Sequence, residues 1–345
     1  MKGNFHVRFL EEPTTVTWSC LLDEVISIEV HENSSKETVA QALERAKEKV
    51  GDCEMVCADD GPDLRGGIAA FCEKHKVGRS FDIVHKAATY LKKILENRAQ
   101  WDSFTTQAAK AKRKMQQSKA SYLAPPNQRT KSRFMNIEIL VNWGIDALMI
   151  METANHKDRL LLLEYCPWLT DLKEFIYILK QLVLVTQTVG QYIREHNLYR
   201  GVATDLEKLL LELPIEMEAS QYAGILLDFV KEEASRVPEG RVWIGSSELI
   251  ESLFGKVKHL EQDQCKGGFT SLILGAAACI GRIDSNTIGK ALQTIKTRDV
   301  DAWVTQWIGT TLTSKRRKAL GWWRKAAKKI ESESTGNINE NAEGF

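Results

Sequence analysis

Residues 54–63, EMVCADDGPD, decide how this chain is read. Met55 to Ala58 form a short apolar run, and the acids, glycine and proline behind it halt regular structure. The pattern predicts a strand over Glu54–Ala58 that ends in a carboxylate-bearing turn. Upstream, Asn33–Ser35 supply caps for a helix to about Val50, with Val39, Leu43 and Ala46 on one face. Downstream, Leu64–His75 reads as a helix and Ser80–Val84 as a second strand, leading into a helix that starts near His85. Further strands are expected at Phe5–Leu10, Thr15–Leu22 and Val25–Val30, the last two rich in β-favouring residues. Strands alternating with helices read as α/β, and open α/β sheets bind ligands beyond the carboxyl ends of their strands. Asp59 stands at such an end, although an ordinary acid–glycine turn is the plainer reading of the same residues.

Beyond residue 86 the pattern turns helical. Tyr90–Leu95, Trp101–Leu123, Ile137–Met151, Leu172–Arg194, Ala203–Leu213 and Ser220–Arg236 carry apolar residues at helical spacing. Pro125, Pro126, Pro167, Pro214 and Pro238 fall in the gaps, where helices must stop. Further helices are expected around residues 247–262, 269–281, 285–297 and 300–310, then a basic one over Ser314–Ile330 and a polar, disordered tail.

Lys and Arg number 47 against 46 Asp and Glu, so the net charge of +1 says nothing about partners. Its distribution says more: residues 103–137 and 313–330 each hold eight basic side chains and no acid, which favours local contact with a polyanion. A solvated face remains the plain reading of Lys110–Lys114. Trp322 and Trp323 beside Arg316, Arg317, Arg324 and Lys325 suit either a nucleic-acid surface or core packing. Apolar runs are too short to span a bilayer, and the first residues show no signal-peptide core. The seven cysteines are scattered without paired spacing and read as buried free thiols of a reducing compartment.

Two further motifs carry chemistry. Asp82 and His85 stand three apart after a predicted strand, a pair that serves equally as a helix cap and a packed histidine. In SSELIESLFGKVKHL, residues 246–260, Ser246 or Ser247 caps a helix that places Glu251 and Lys258 two turns apart on one face. A solvated charged face fits these residues too.

Taken together, ADDGPDL (58–64), DIVHKAATYLKK (82–93), YLAPPNQRTKSRFMNIEILVNWG (122–144) and SSELIESLFGK (246–256) closely resemble a family of bacterial DDE transposases. The resemblance runs from about residue 35 to about residue 320. It implies an α/β RNase H-like core interrupted by a large all-α insertion, predominantly helical overall. Residues 1–85 would begin the core, 86–240 form the insertion, 241–330 return to the core and close it, and 331–345 form the disordered tail. The implied activity is two-metal hydrolysis of DNA phosphodiesters and strand transfer, with Mg²⁺ as cofactor and Mn²⁺ as substitute. Asp59 matches the second catalytic aspartate and Glu251 the catalytic glutamate, both as metal ligands. Glu248 stays open as an alternative, because the tyrosine and arginine preceding the glutamate in some relatives have no counterpart at Ile244 and Ser247. Lys258 looks like a basic residue that holds DNA, and Asp82 with His85 like the Asp-x-x-His pair of mutator-like and hAT-like enzymes. Arg129, Lys131, Arg133, Lys258, Arg316 and Arg317 would contact DNA. The implied partners are the element's ends, target DNA and further copies of the chain, with no membrane, in a bacterial cytoplasm at the nucleoid.

One part of the pattern is missing. The first catalytic aspartate belongs on the first core strand, and its candidate, FHVRFL at 5–10, has no acid. The only aspartates upstream of Asp59 are Asp23 and Asp52; Asp52 lies just before the Glu54–Ala58 strand, which leaves Asp23 as the substitute. The usual helix-turn-helix ahead of the core is also not found, so the expectation is a chain shortened at its N-terminus. The rival reading is a catalytically inactive DNA-binding remnant that interferes with an intact enzyme. A helical scaffold with no nucleic-acid role is a third.

Overall fold

The computed structural model describes residues 35–128, 133–153, 156–247 and 285–307. The chain divides into two compact units, one containing residues 33–247 and the other residues 248–345. In the first, Ser35 caps helix α1 (Lys36–Val50) through a reciprocal box with Thr38, and Val39, Leu43 and Ala46 are buried as their spacing predicts. Strand β1 (Met55–Ala58), helix α2 (Pro62–His75) and strand β2 (Gly78–Phe81) follow, and the two strands pair in parallel with Met55 opposite Gly78 and Ala58 opposite Phe81. Every residue of β1 is buried. Successive strand residues face opposite ways, so Val56 and Ala58 pack with Val39, Leu43, Ile68 and Phe71 of α1 and α2. Met55 and Cys57 face a much larger helical core on the other side. Burial on both faces is the ordinary condition of a parallel sheet.

The second strand is shorter than Ser80–Val84. It ends at Phe81 because Asp82 caps helix α3 (Ile83–Leu95), so Ile83 and Val84 are helical despite their β-favouring side chains, and the helix begins before His85. Helix α4 (Ala99–Met115) also stops short of Leu123. The Ser118 hydroxyl donates to Met115 O at 3.0 Å and accepts from Ala120 N at 3.0 Å, taking backbone groups that a helix would use. Helices α5 (Ile137–Thr153), α6 (His156–Tyr165), α7 (Lys173–His196), α8 (Val202–Leu211) and α9 (Met217–Ser235) complete the unit. Of these, α6 has no counterpart among the expected helices, because its run Leu160–Leu163 has no amphipathic period. The 24-residue α7 is the spine, with Ile176, Leu179, Leu182, Val185, Val189 and Ile193 all fully buried against α3, α5, α8 and α9.

The second unit is described over α10 (Ser285–Thr294) and α11 (Thr297–Trp307), where helices were expected. The described chain is predominantly helical, and among its residues no helix is long and apolar enough to cross a membrane. The strand candidates before residue 35, the helices expected over 247–281 and 314–330, and the tail lie outside the described residues. Cys53, Cys57, Cys72 and Cys166 are buried and outside any disulfide; burial pushes Cys53 and Cys166 up to about 12 and Cys72 to about 11.

Candidate functional site at the strand ends

Two adjacent acids follow β1, and their surroundings differ. Asp60 is enclosed: Arg65 donates to it from Nε at 2.6 Å and Nη2 at 2.9 Å, and Lys86 reaches the same carboxylate. Burial raises the Asp60 pKa, but the hydrogen bonds from Lys86 and Arg65 outweigh it and hold the carboxyl below its usual range. Lys86 in turn lies 5.0 Å from the centre of the Phe229 ring. Asp60 is thus a structural ion pair between α2 and α3. The Asp59 side chain, by contrast, is 42% exposed, with His85 Nδ1 at 3.5 Å from Oδ2.

The end of β2 carries a third acid. Asp82 is 1% exposed, and its Oδ1 accepts from His85 N at 2.8 Å as the cap of α3. Its Oδ2 accepts from the backbone N–H of Ser247 and from Ser247 Oγ at 2.6 Å, with Ser246 Oγ at 3.5 Å. Ser247 Oγ also lies 3.1 Å from Asp59 Oδ1. One hydroxyl thereby joins the carboxylates that end the two strands.

A return segment brings Ser247 here. Trp243 pairs antiparallel with Leu198, Ile244 O accepts from Ser80 Oγ at 2.6 Å, and Gly245 O accepts from Ile83 N at 3.2 Å. Two glycines permit this approach. A Cβ on Gly78 would meet the Trp243 ring at 2.3 Å, and one on Gly245 would meet Ile193 Cγ2 at 2.6 Å. Glu233, on α9, fixes the strand from another side by accepting from Phe81 N at 3.0 Å and from Arg236. Burial pushes its carboxyl above the usual range despite Arg236.

Of the residues expected at the site, Asp59 and His85 come together. Asp23, Glu248, Glu251, Lys258, Arg129, Lys131, Arg316 and Arg317 lie outside the described residues, as does the side chain of Arg133. Sequence reasoning read Ser247 only as a cap and gave Asp82 no part beyond its pairing with His85. The Asp-x-x-His spacing marked Asp82 as a cap, but nothing local showed that the same carboxylate would also hold a serine 165 residues away. Among the described residues no group of three or more His, Cys, Asp and Glu side chains forms a metal cluster. The available donors, an exposed carboxylate and a hydroxyl, are hard oxygens that suit Mg²⁺ or Mn²⁺ better than zinc. No family model, curated protein or solved structure matches the chain.

Proposed function

We propose that this chain is a DDE-type transposase that acts on DNA phosphodiesters, its β1–α2–β2 unit belonging to an RNase H-like core. The observation that carries the reading is the exposed Asp59 carboxylate at the end of β1, with His85 3.5 Å from one of its oxygens and Ser247 3.1 Å from the other. Such strand ends are where α/β sheets place their chemistry. In this reading Asp59 holds a divalent ion together with Glu251, or with Glu248 in its place. Bound Mg²⁺ or Mn²⁺ would polarise the phosphate and lower the pKa of water. His85 keeps Asp59 oriented. Asp82 is buried and holds the His85 and Ser247 amides and the Ser247 hydroxyl, so its part is structural. Lys258 and the arginines and lysines at 129, 131, 133, 316 and 317 neutralise DNA phosphates, and several copies of the chain assemble on the element's ends and target.

The absence of an acid from Phe5–Leu10 favours a second reading, a DNA-binding form without cleavage. One experiment separates the two. The purified chain is incubated with labelled DNA in Mg²⁺ and in Mn²⁺, beside Asp59→Asn, Glu251→Gln and Asp23→Ala variants. Metal-dependent nicking that vanishes in all three variants supports an intact enzyme with Asp23 as the third acid. Binding without nicking supports the inactive DNA-binding form, the expected result for this chain alone. A chain that neither binds nor cuts DNA refutes both and leaves the helical scaffold.

A further inference from the structure

Helix α4 buries one face and charges the other. Trp101, Phe104, Ala108, Ala111 and Met115 recur at helical spacing and are at most 3% exposed, which fixes the helix on the core. Lys110, Arg113 and Lys114 stand at i, i+3 and i+4 on the opposite, exposed side, within about 6 Å of one another along the axis. Lys119 is exposed just past the helix. Among the described residues, none of these four side chains meets a hydrogen-bond, ion-pair or ring partner. Other cations of the same unit find acids: Arg98 lies 2.5 Å from Glu218, Lys208 lies 3.0 Å from Asp205, and Lys173 meets Glu152. Like charges three and four residues apart repel, so α4 carries its cations at a cost. The helix dipole favours Arg113 and Lys114 in the last turn, but its effect fades beyond that turn and gives Lys110 and Lys119 no task. A face that only needs solvation can mix both signs of charge, yet residues 103–137 contain no acid.

Positive charge held on a rigid face, with no acid beside it, fits a partner that carries closely spaced negative charge. We propose that Lys110, Arg113 and Lys114 of α4, with Lys119 beyond its end, form a docking surface for the phosphate backbone of duplex DNA. The contact is independent of base sequence: each cation neutralises a phosphate and displaces a counterion. A helix that lies on an anionic membrane needs an apolar face turned to the lipid, and the apolar face of α4 is buried in the core. The inference deepens the reading of the chain as acting on DNA and rests on it for the partner. It gives the helical body a part of its own in holding DNA, in the same acid-free stretch as Arg129, Lys131 and Arg133.

The test follows the full chain binding a labelled random-sequence duplex by fluorescence anisotropy over a series of salt concentrations, without divalent metal. A variant with Lys110→Gln, Arg113→Gln and Lys114→Gln should weaken binding by more than about tenfold and lower the salt slope by about 2.7. Lys110→Arg with Lys114→Arg keeps the charge and should keep the parent's slope. A control with Lys173→Gln, Lys208→Gln and Lys231→Gln removes the same net charge from cations that have acids beside them, and should also keep the slope. Thermal melts followed by circular dichroism separate the surface from the fold, because a part confined to the helix dipole would lower the melting temperature and leave the slope alone. If the parent binds DNA and the α4 variant keeps its slope, or the control lowers the slope as much, the inference falls while the DNA reading stands. If the parent binds no duplex at low salt, both fall. Phosphatidylserine vesicles that bind the parent through the same three residues, where DNA does not, would overturn the choice of partner.

Discussion

Asp59 and Asp60 share a turn but have different surroundings. Asp60 is enclosed by Lys86 and Arg65, and removing its charge would leave the Lys86 ammonium, 14% exposed, without a carboxylate. Asp60→Asn is therefore expected to cost about 3 kcal/mol, read by denaturant unfolding. Its pKa is depressed in the folded chain, so the stability it contributes is present above the ordinary carboxylate range and lost as the pH falls through the lowered value. The acid limb of the stability profile should flatten in Asp60→Asn. Asp59→Asn should cost less, since the Asp59 side chain is 42% exposed and its pairing with His85 is screened by solvent. A chain that loses more stability from Asp59→Asn than from Asp60→Asn would reverse the two assignments. The sequence reading chose Asp59 as the first acid after a strand over Glu54–Ala58, and the strand does end at Ala58, directly before it. That choice could not draw on the ion pair, because Lys86 is 26 residues away and nothing local joins it to Asp60.

At the scale of elements, Phe81 ends a strand whose N–H finds a carboxylate rather than another strand. Glu233 reaches it from α9, 152 residues along the chain, and so ties the helical body to the sheet. Glu233→Gln keeps an oxygen for Phe81 N–H, and Arg236 keeps Glu232, so the variant should stay within about 1 kcal/mol of the parent. Glu233→Ala leaves a buried N–H unpaired and should cost about 2–3 kcal/mol. The pH dependence runs opposite to that of Asp60. The folded-state pKa of Glu233 is raised, so its contribution is full below the ordinary carboxylate range and is lost as the pH rises through the raised value. Glu233→Gln should not show that loss, and a parallel decline in both proteins would place the titrating group elsewhere. Elements were legible where a cap and an apolar stripe agreed, as at Ser35 with Val39, Leu43 and Ala46. They were misjudged where a side chain competes with propensity: Asp82 turns Ile83 and Val84 from strand to helix, and Ser118 ends α4 early. The helix over His156–Tyr165 gave no signal because its four leucines face every direction.

For the whole molecule, the chain returns after about 160 residues of helices to place Ser247 between carboxylates at 59 and 82. Local pattern marks the strand ends, but the return is set by close approaches such as Trp243 over Gly78, which no periodicity encodes. Charge, in contrast, was legible at once, because residues 103–137 carry eight cations and no acid. If Arg129, Lys131 and Arg133 meet DNA, each side chain that neutralises a phosphate releases a counterion and steepens the salt dependence of binding. The logarithm of affinity falls with the logarithm of salt by about 0.9 for each phosphate neutralised on a duplex. Replacing all three by glutamine should therefore lower the slope by about 2.7, and should weaken binding alike for sequences with and without the element's ends. A neutral-surface control, Gln116→Ala with Gln117→Ala in the exposed turn just past α4, should leave the slope unchanged. Titrations across a series of salt concentrations would read both variants. A triple variant with the parent's slope would show that these three side chains neutralise no phosphate, whatever the strand-end acids do.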